Sequence, residues 1–375
     1  VINFVSNLPE DLRTGGFSAM NAAACAAIRK AWPVAYVGPI DPPVSATARA
    51  ASKALRACGV PGDFAAFSER RLEAIARRVQ ASASHEAQLD FFHGLTPWIS
   101  TRPARPYVAW SDCTFHDYIQ VFHRGRRFRA GDLRRIERQE AQWLAGASRV
   151  LFTSAWAAER AIAHYGLDRG CVGSVGIFGE IDWPERDAYA GGGAFVFVST
   201  DFAGKGGPVA LAALRKVQAV HPQASLVIVG DPPPRGGEGQ GVRYAGFLRK
   251  EVEAEALAFR RILGAAVALT HPTSRDMSPL VLVEAAGFGC PAISSRAFAI
   301  PEIVEHGRTG WLLDDPSDAA AVAAAMIWML DNEAEYGRMR REARARARVE
   351  HARERFEQRL QRAIGDVLAA RRTAA

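Results

Sequence analysis

The chain has 375 residues, 49% of them hydrophobic and 23% charged, with a formal net charge of +7 and a pI near 9.4. That length exceeds one ordinary core and suits two, and the composition excludes a disordered or fibrous chain. Apolar runs such as residues 319–330 are too short to span a bilayer, and five scattered cysteines without a Cys-x-x-Cys argue for reduced thiols in a cytoplasmic protein.

Residues 1–6 read as a first strand and lack the basic region of a signal peptide. Gly15 and Gly16 follow, then a helix over 18–31 and a strand over 34–37. Helices are expected at 45–57 and 68–83, with short apolar strands at 89–92 and 107–110. Leu133, Ile136, Glu140, Trp143, Leu144 and Ala147 share one helix face. A strand at 150–153 precedes Ser154, a helix cap. Residues 179–193, with Gly179, Pro184 and a triple glycine, read as a linker. The alternation then restarts. Strands are expected at 194–198, 225–229, 242–244 and 266–269, and helices at 207–220 and 251–262. The Gly/Pro-rich stretch 232–241 is a surface loop. Strand–helix alternation throughout predicts α/β architecture with parallel sheets: residues 1–182 as one Rossmann-like domain, 183–350 as another, and a helix at 351–371 returning to the first. Two such domains facing each other would form a cleft between strand ends.

Residues 271–295 read as loop, helix and short strand, with Pro279 at the first helical position. Leu280, Val283, Glu284, Gly287 and Phe288 recur at helical spacing. Asp276 precedes that helix and Glu284 lies about one turn inside it. Unpaired N–H groups at such a helix start attract anions, and flanking carboxylates accept hydrogen bonds from sugar hydroxyls. A capping Asp and a solvated Glu would explain the same spacing. Upstream, the 194–198 strand runs into Asp201-Phe202-Ala203-Gly204-Lys205-Gly206-Gly207. Glycines there let backbone approach phosphate, and Lys205 supplies a point charge.

Asp276, Glu284, Ala285, Ala286, Gly289, Pro291, Ile293 and Ser294 resemble the signature of the retaining glycosyltransferase family 4, which usually has Glu at the first position. Asp201, Phe202, Lys205, Gly206 and Gly207 resemble the loop of one of its subgroups. Thr200 stands where the family often has Arg, and Arg275 is a candidate substitute. The resemblance implies two Rossmann-like domains across a cleft (the GT-B type). It implies a donor site of Gly15, Gly16, Thr200, Lys205, Gly230, Asp231, Ser278, Pro279, Leu280 and Glu284. Glu284 would bind the donor ribose and Asp276 the sugar hydroxyls. Lys205, Gly16 and the 279–288 helix would stabilise the departing diphosphate. Pro301, Glu302 and Gly307 to Gly310 match a further family motif, read as structural.

In the first half, His93 and Asp112 fall at strand ends where the family places acceptor-activating groups. His116, His123 and a basic cluster, Arg124, Arg126, Arg127 and Arg129, follow. His93, Asp112, His116 and Arg126 are the acceptor-side candidates, and Asp112, Lys205, Asp276 and Glu284 the catalytic ones. No Cys/His spacing indicates zinc, and no Asp-x-Asp indicates a nucleotide-bound metal. The expected reaction moves a sugar from a UDP-, GDP- or ADP-sugar, the co-substrate in place of a bound cofactor, to a hydroxyl of a glycan, lipid-linked or small-molecule acceptor. Excess positive charge adds peripheral contact with the inner, anionic membrane face. Nucleic acid is not an expected partner, because the basic residues carry no recognition motif. A sugar-nucleotide epimerase of the same fold is the alternative enzyme. A scaffold protein with a decayed donor site is the non-catalytic one, kept alive by Thr200 and Asp276.

Overall fold

The structure is a computed structural model that describes residues 1–12, 16–124, 127–231 and 239–374. It divides into two compact units, Val1–Gly176 with Glu357–Ala375, and Ile177–Phe356.

The first unit contains β1 (Ile2–Val5), α1 (Met20–Arg29), β2 (Val34–Val37), α2 (Ala46–Ala57), α3 (Glu69–Ser82), β3 (Leu89–His93), β4 (Tyr107–Ser111), α4 (Phe115–Phe122), α5 (Ala130–Ala145), β5 (Arg149–Phe152), α6 (Ala155–Tyr165) and β6 (Val172–Ser174). Its six strands are parallel, in the order β2-β1-β3-β4-β5-β6. Strands β1, β3 and β4 are buried along their whole length, and the edge strands β2 and β6 are largely half-exposed. That difference explains the near-continuous apolar runs of the inner strands, which are covered on both faces. Phe92, Trp98, Phe115, Ile136, Trp143 and Phe152 lie in one core.

The second unit contains β7 (Ala194–Ser199), α7 (Gly207–Gln218), β8 (Ser225–Gly230), β9 (Val242–Gly246), α8 (Glu253–Ala265), β10 (Leu269–His271), α9 (Leu280–Gly287), β11 (Ala292–Ser295), α10 (Ile300–Ile303), β12 (Gly310–Leu313), α11 (Ala319–Asp331) and α12 (Glu333–Glu350). Its sheet is also parallel, in the order β12-β11-β10-β7-β8-β9. Phe195, Phe197, Leu214, Ile228, Ile293 and Met326 share its core. The last helix, α13 (Arg353–Ala374), returns to the first unit. There Lys30 pairs with Glu357 at 2.6 Å, Gln361 donates to the Ala27 carbonyl, and Arg371 donates to the Gln88 carbonyl.

Two local expectations are corrected. The strand expected at 266–269 runs over Leu269–His271, because Thr270 and His271 are fully buried despite their polarity. Pro279 is the N-cap of α9, with extended backbone (φ −71°, ψ 106°), and not its first helical residue. Proline's own ring explains why the preceding chain stays extended into that position.

In both units the strand order reverses beside the first strand. The chain leaves β1 for β2 on one side and returns to β3 on the other, and β7 is flanked in the same way by β8 and β10. Such a switch point opens a crevice at the carboxyl ends of the strands, where open α/β sheets bind ligands. The sheets therefore define two crevices, β1/β3 and β7/β10, before any side chain is considered.

Candidate active site

At the β7/β10 switch point, β7 ends in the loop that carries Lys205 and β10 in the loop that carries Asp276. Lys205 Nζ lies 2.8 Å from Asp276 Oδ2 and donates to the Arg275 carbonyl at 2.8 Å. His271 Nε2 lies 3.2 Å from the same Asp276 oxygen. Burial works against the Asp276 carboxylate, but the His271 hydrogen bond and the Lys205 charge outweigh it and hold its pKa below the usual carboxylate range. His271 is 1% exposed and closes β10, with Ser294 Oγ donating to its carbonyl at 2.8 Å. Its Nδ1 is buried with no partner among the described residues.

The loop geometry follows from glycine. Gly206 caps α7 at φ +89°, and a Cβ there would stand 2.1 Å from the Pro272 carbonyl. Any larger residue would push the Lys205 loop off the Asp276 loop. Gly230 at φ +110° is held as tightly, with the Ser199 carbonyl 1.9 Å from where its Cβ would be. Gly230 also accepts a hydrogen bond from Tyr244, and the Asp231 amide donates to Ser199 at 2.9 Å. Thr200 is exposed and Arg275 half-buried.

Glu284 lies inside α9 and is 1% exposed. Its Oε1 pairs with Lys250 Nζ at 2.5 Å and accepts from the Glu180 amide at 3.3 Å. Burial lowers the Lys250 pKa, but Glu284 more than offsets this and leaves it raised. Neither α7 nor α9 has a side-chain cap, but at α7 the Gly207 amide donates to the Phe202 carbonyl at 2.8 Å and Pro208 has no N–H, so it is the start of α9 that offers its first N–H groups to a ligand. Leu280 opens α9 and is buried, as is Pro279, while Ser278 is half-buried. The structure thus gathers Lys205 and Asp276 with His271, and Glu284 with Lys250. Sequence reading missed both partners. His271 looked like the start of a loop, and Lys250 is separated from Glu284 by 34 residues.

The first-unit candidates are more scattered. His93 closes β3 and is 2% exposed. Its ring stacks on Phe17 at 4.5 Å and meets Trp110 edge-on at 5.4 Å. Burial pushes its pKa down to about 4, against a small opposing contribution from the Phe17 backbone, so it is neutral at pH 7. Asp112 follows β4 directly, half-buried, and accepts from Ser111 Oγ at 3.4 Å. His116, in the first turn of α4, contacts Glu137 and His164. Arg127 donates to the Gly59 carbonyl at 2.6 Å, and Arg129 pairs with Asp63 at 3.2 Å, so these two basic residues are engaged locally. Gly16 begins a short 3-10 turn at φ +60° with open space where a Cβ would be. Gly15 and Arg126 lie outside the described residues.

Residues 193–332 match the family model described as glycosyl transferases group 1. Glycogen synthase of Mycobacterium tuberculosis is 28% identical over 262 residues, covering 66% of this chain and 62% of that protein, so the match stops short of the relative's full length. Phosphatidyl-myo-inositol mannosyltransferase of the same organism is 32% identical over 133 residues, 34% of this chain and 35% of that protein. Among solved structures, Anabaena HepE in complex with UDP-glucose is similar at TM-score 0.68 and 17% identity, covering 97% of this chain and 99% of that one. Sucrose-phosphate synthase from Thermosynechococcus elongatus is similar at TM-score 0.71 and 18% identity, covering 98% and 99%. The chain therefore resembles the group 1 glycosyl transferases and has their GT-B fold of two Rossmann-like units.

Proposed function

We propose that this protein is a retaining glycosyltransferase that takes its sugar from a nucleoside-diphosphate sugar bound by the second unit. The observation that carries the reading is the convergence of Lys205 and Asp276, 2.8 Å apart, at the β7/β10 switch point. The match of residues 193–332 to the group 1 family supports it.

Each residue has a chemical role in this reading. Lys205 exchanges its Asp276 contact for the leaving diphosphate, whose charge grows as the glycosidic bond breaks. Asp276, fixed by His271, accepts from hydroxyls of the donor sugar. Glu284 accepts from the ribose hydroxyls, which displace part of its Lys250 contact. Lys250, released from Glu284, is then the candidate for the cationic charge that Thr200 does not supply. With two lysines and the open start of α9 for the diphosphate, no divalent ion is required at this step. Departing phosphate takes the acceptor proton on the same face, so the linkage is retained without a protein nucleophile. Acceptor recognition is assigned to the first unit, with Asp112 positioning a hydroxyl of a glycan or lipid-linked acceptor, and the net charge of +7 suits an anionic membrane face. Among the described residues, no helix is long and apolar enough to cross a membrane.

Thermal unfolding with UDP, GDP and ADP in turn tests the donor assignment. Ligand at a hundred times its dissociation constant adds about 2.7 kcal/mol, which raises the midpoint of a domain this size by roughly 5–10 °C. One nucleotide is expected to give that shift in wild type and not in Lys205→Ala, which also loses transfer at least about a hundredfold. A Lys205→Ala protein that keeps both would overturn the donor site.

A further inference from the structure

In the first unit, three helices bring together a side-chain set that no sequence spacing reveals. His116 comes from the first turn of α4, Glu137 from the middle of α5 and His164 from the last turn of α6. One ligand atom from each lies within 4.8 Å of the others. His116 Nδ1 is 3.1 Å from Glu137 Oε1, and the two imidazole rings lie 3.6 Å apart at 30°. We propose that His116, Glu137 and His164 form a binding site for one divalent transition ion of the zinc type, which clasps α4 and α6 to α5.

The donor set chooses the metal. Two imidazoles and one carboxylate suit Zn²⁺, Co²⁺ or Ni²⁺, whereas Mg²⁺ and Ca²⁺ prefer all-oxygen sites. Three protein ligands with a fourth position open to solvent is a common zinc arrangement. Zinc bonds of about 2.0–2.2 Å in a tetrahedron put ligand atoms about 3.3–3.5 Å apart. The His116–Glu137 edge already has nearly that length, so closure asks only for rotamer adjustment of His164, the exposed member.

The scaffold behind these ligands is rigid. Glu140, one turn beyond Glu137 on α5, is completely buried. Its Oε2 accepts from the Phe115 amide at 2.7 Å and from the Tyr165 hydroxyl at 2.8 Å, and its Oε1 accepts from Thr96 Oγ1 at 2.6 Å. Phe115 precedes His116, and Tyr165 follows His164. One buried carboxylate therefore holds the residue next to each histidine, Phe115 by its amide and Tyr165 by its hydroxyl, the preorganisation a metal site needs. His164 also lies at the carboxyl end of α6, where the helix dipole favours a cation. Arg160, one turn back, is the opposing charge, and it is held by Asp117 at 2.5 Å.

Titration of the metal-stripped full chain with Zn²⁺, and with Co²⁺ as the visible-absorption probe, tests the site. Wild type is expected to take up one equivalent, to give the visible bands of tetrahedral Co²⁺, and to keep Zn²⁺ in a large excess of Mg²⁺. His164→Ala and Glu137→Gln are each expected to weaken Zn²⁺ binding by at least about tenfold. His164 is exposed, so its variant should keep the metal-free midpoint of wild type, which far-UV circular dichroism during melting checks. Absence of stoichiometric uptake, or equal uptake by wild type and His164→Ala, would overturn the site. None of these readouts depends on sugar transfer.

Discussion

The two sheets are both six-stranded and parallel, but one strand, β2, lies beyond β1 in the first and two, β8 and β9, lie beyond β7 in the second, and the two switch points carry opposite chemistry. At β7/β10 the strand ends carry an ammonium, a carboxylate and an imidazole in contact, Lys205, Asp276 and His271. At β1/β3 the strand end carries a neutral imidazole packed among Phe17, Phe4 and Trp110. The helix starts do not divide by unit: Ser45, Thr114 and Ser154 cap α2, α4 and α6, but α1, α3 and α5 begin without a side-chain cap and Asp318 caps α11. What sets α9 apart is an uncapped start beside paired charges, the arrangement that suits an anionic ligand. Two parallel α/β sheets thus present different chemistry through the loops that follow their strands.

The Glu284–Lys250 pair gives the largest effect that breaks this contrast. Glu284→Ala leaves Lys250 largely buried without its partner, at a cost of about 3 kcal/mol. Lys250→Met added to Glu284→Gln should recover most of that loss, because the charge leaves with its partner. Urea unfolding of the three proteins measures both steps. If the single Glu284→Ala variant is as stable as wild type, the pair is a surface contact and the second unit is less charged inside than its geometry indicates.

A smaller effect sharpens the first unit's side. The His93 pKa is depressed to about 4 from an ordinary 6.5, so the unfolded chain takes up a proton that the folded chain refuses. The contribution of neutral His93 is therefore complete above about pH 6.5 and is lost as pH falls toward 4. Between pH 7 and pH 5 the loss is about 2 kcal/mol, or roughly 4–8 °C in the midpoint of this unit. His93→Phe keeps the aromatic stack and removes the titration, so its midpoint should fall less over that interval. Equal falls in both proteins would show that His93 meets solvent.

The contrast also explains what could be read from the chain. Strand–helix alternation is a local signal, and it located the inner strands of both sheets and most of the helices, but left β6, β12, α4, α10, α11 and α12 unassigned. Lys205, Asp276 and Glu284 stood out because the motifs around them resemble those of glycosyltransferase family 4, whereas their spacing alone fits a surface turn, a cap and a solvated helix residue equally well. The partners were not legible. Lys250 reaches Glu284 from a separate loop, and His271 lies in an apolar run whose last two residues are polar yet buried. His116, Glu137 and His164 come from three helices whose approach depends on packing around Glu140. Nothing in spacing encodes contacts of that kind.

The smallest effect tests the helix starts directly. Thr114 Oγ1 accepts from the Asp117 amide at 3.2 Å, so Thr114→Ala should cost the first unit about 1 kcal/mol and leave nucleotide binding unchanged. Pro279→Ser makes the opposite change at α9. The site's backbone is already extended, as a serine cap requires, so the new hydroxyl can bond the open N–H groups itself. Stability should change little, because the added cap offsets the lost stiffness of proline. Any anion at that helix start must now displace the hydroxyl, a competition worth about 1 kcal/mol and hence roughly a fivefold weaker affinity for the nucleoside diphosphate. Isothermal titration of both variants reads the difference. Weakening by Pro279→Ser alone ties the anion to α9, whereas unchanged affinity leaves the diphosphate to Lys205.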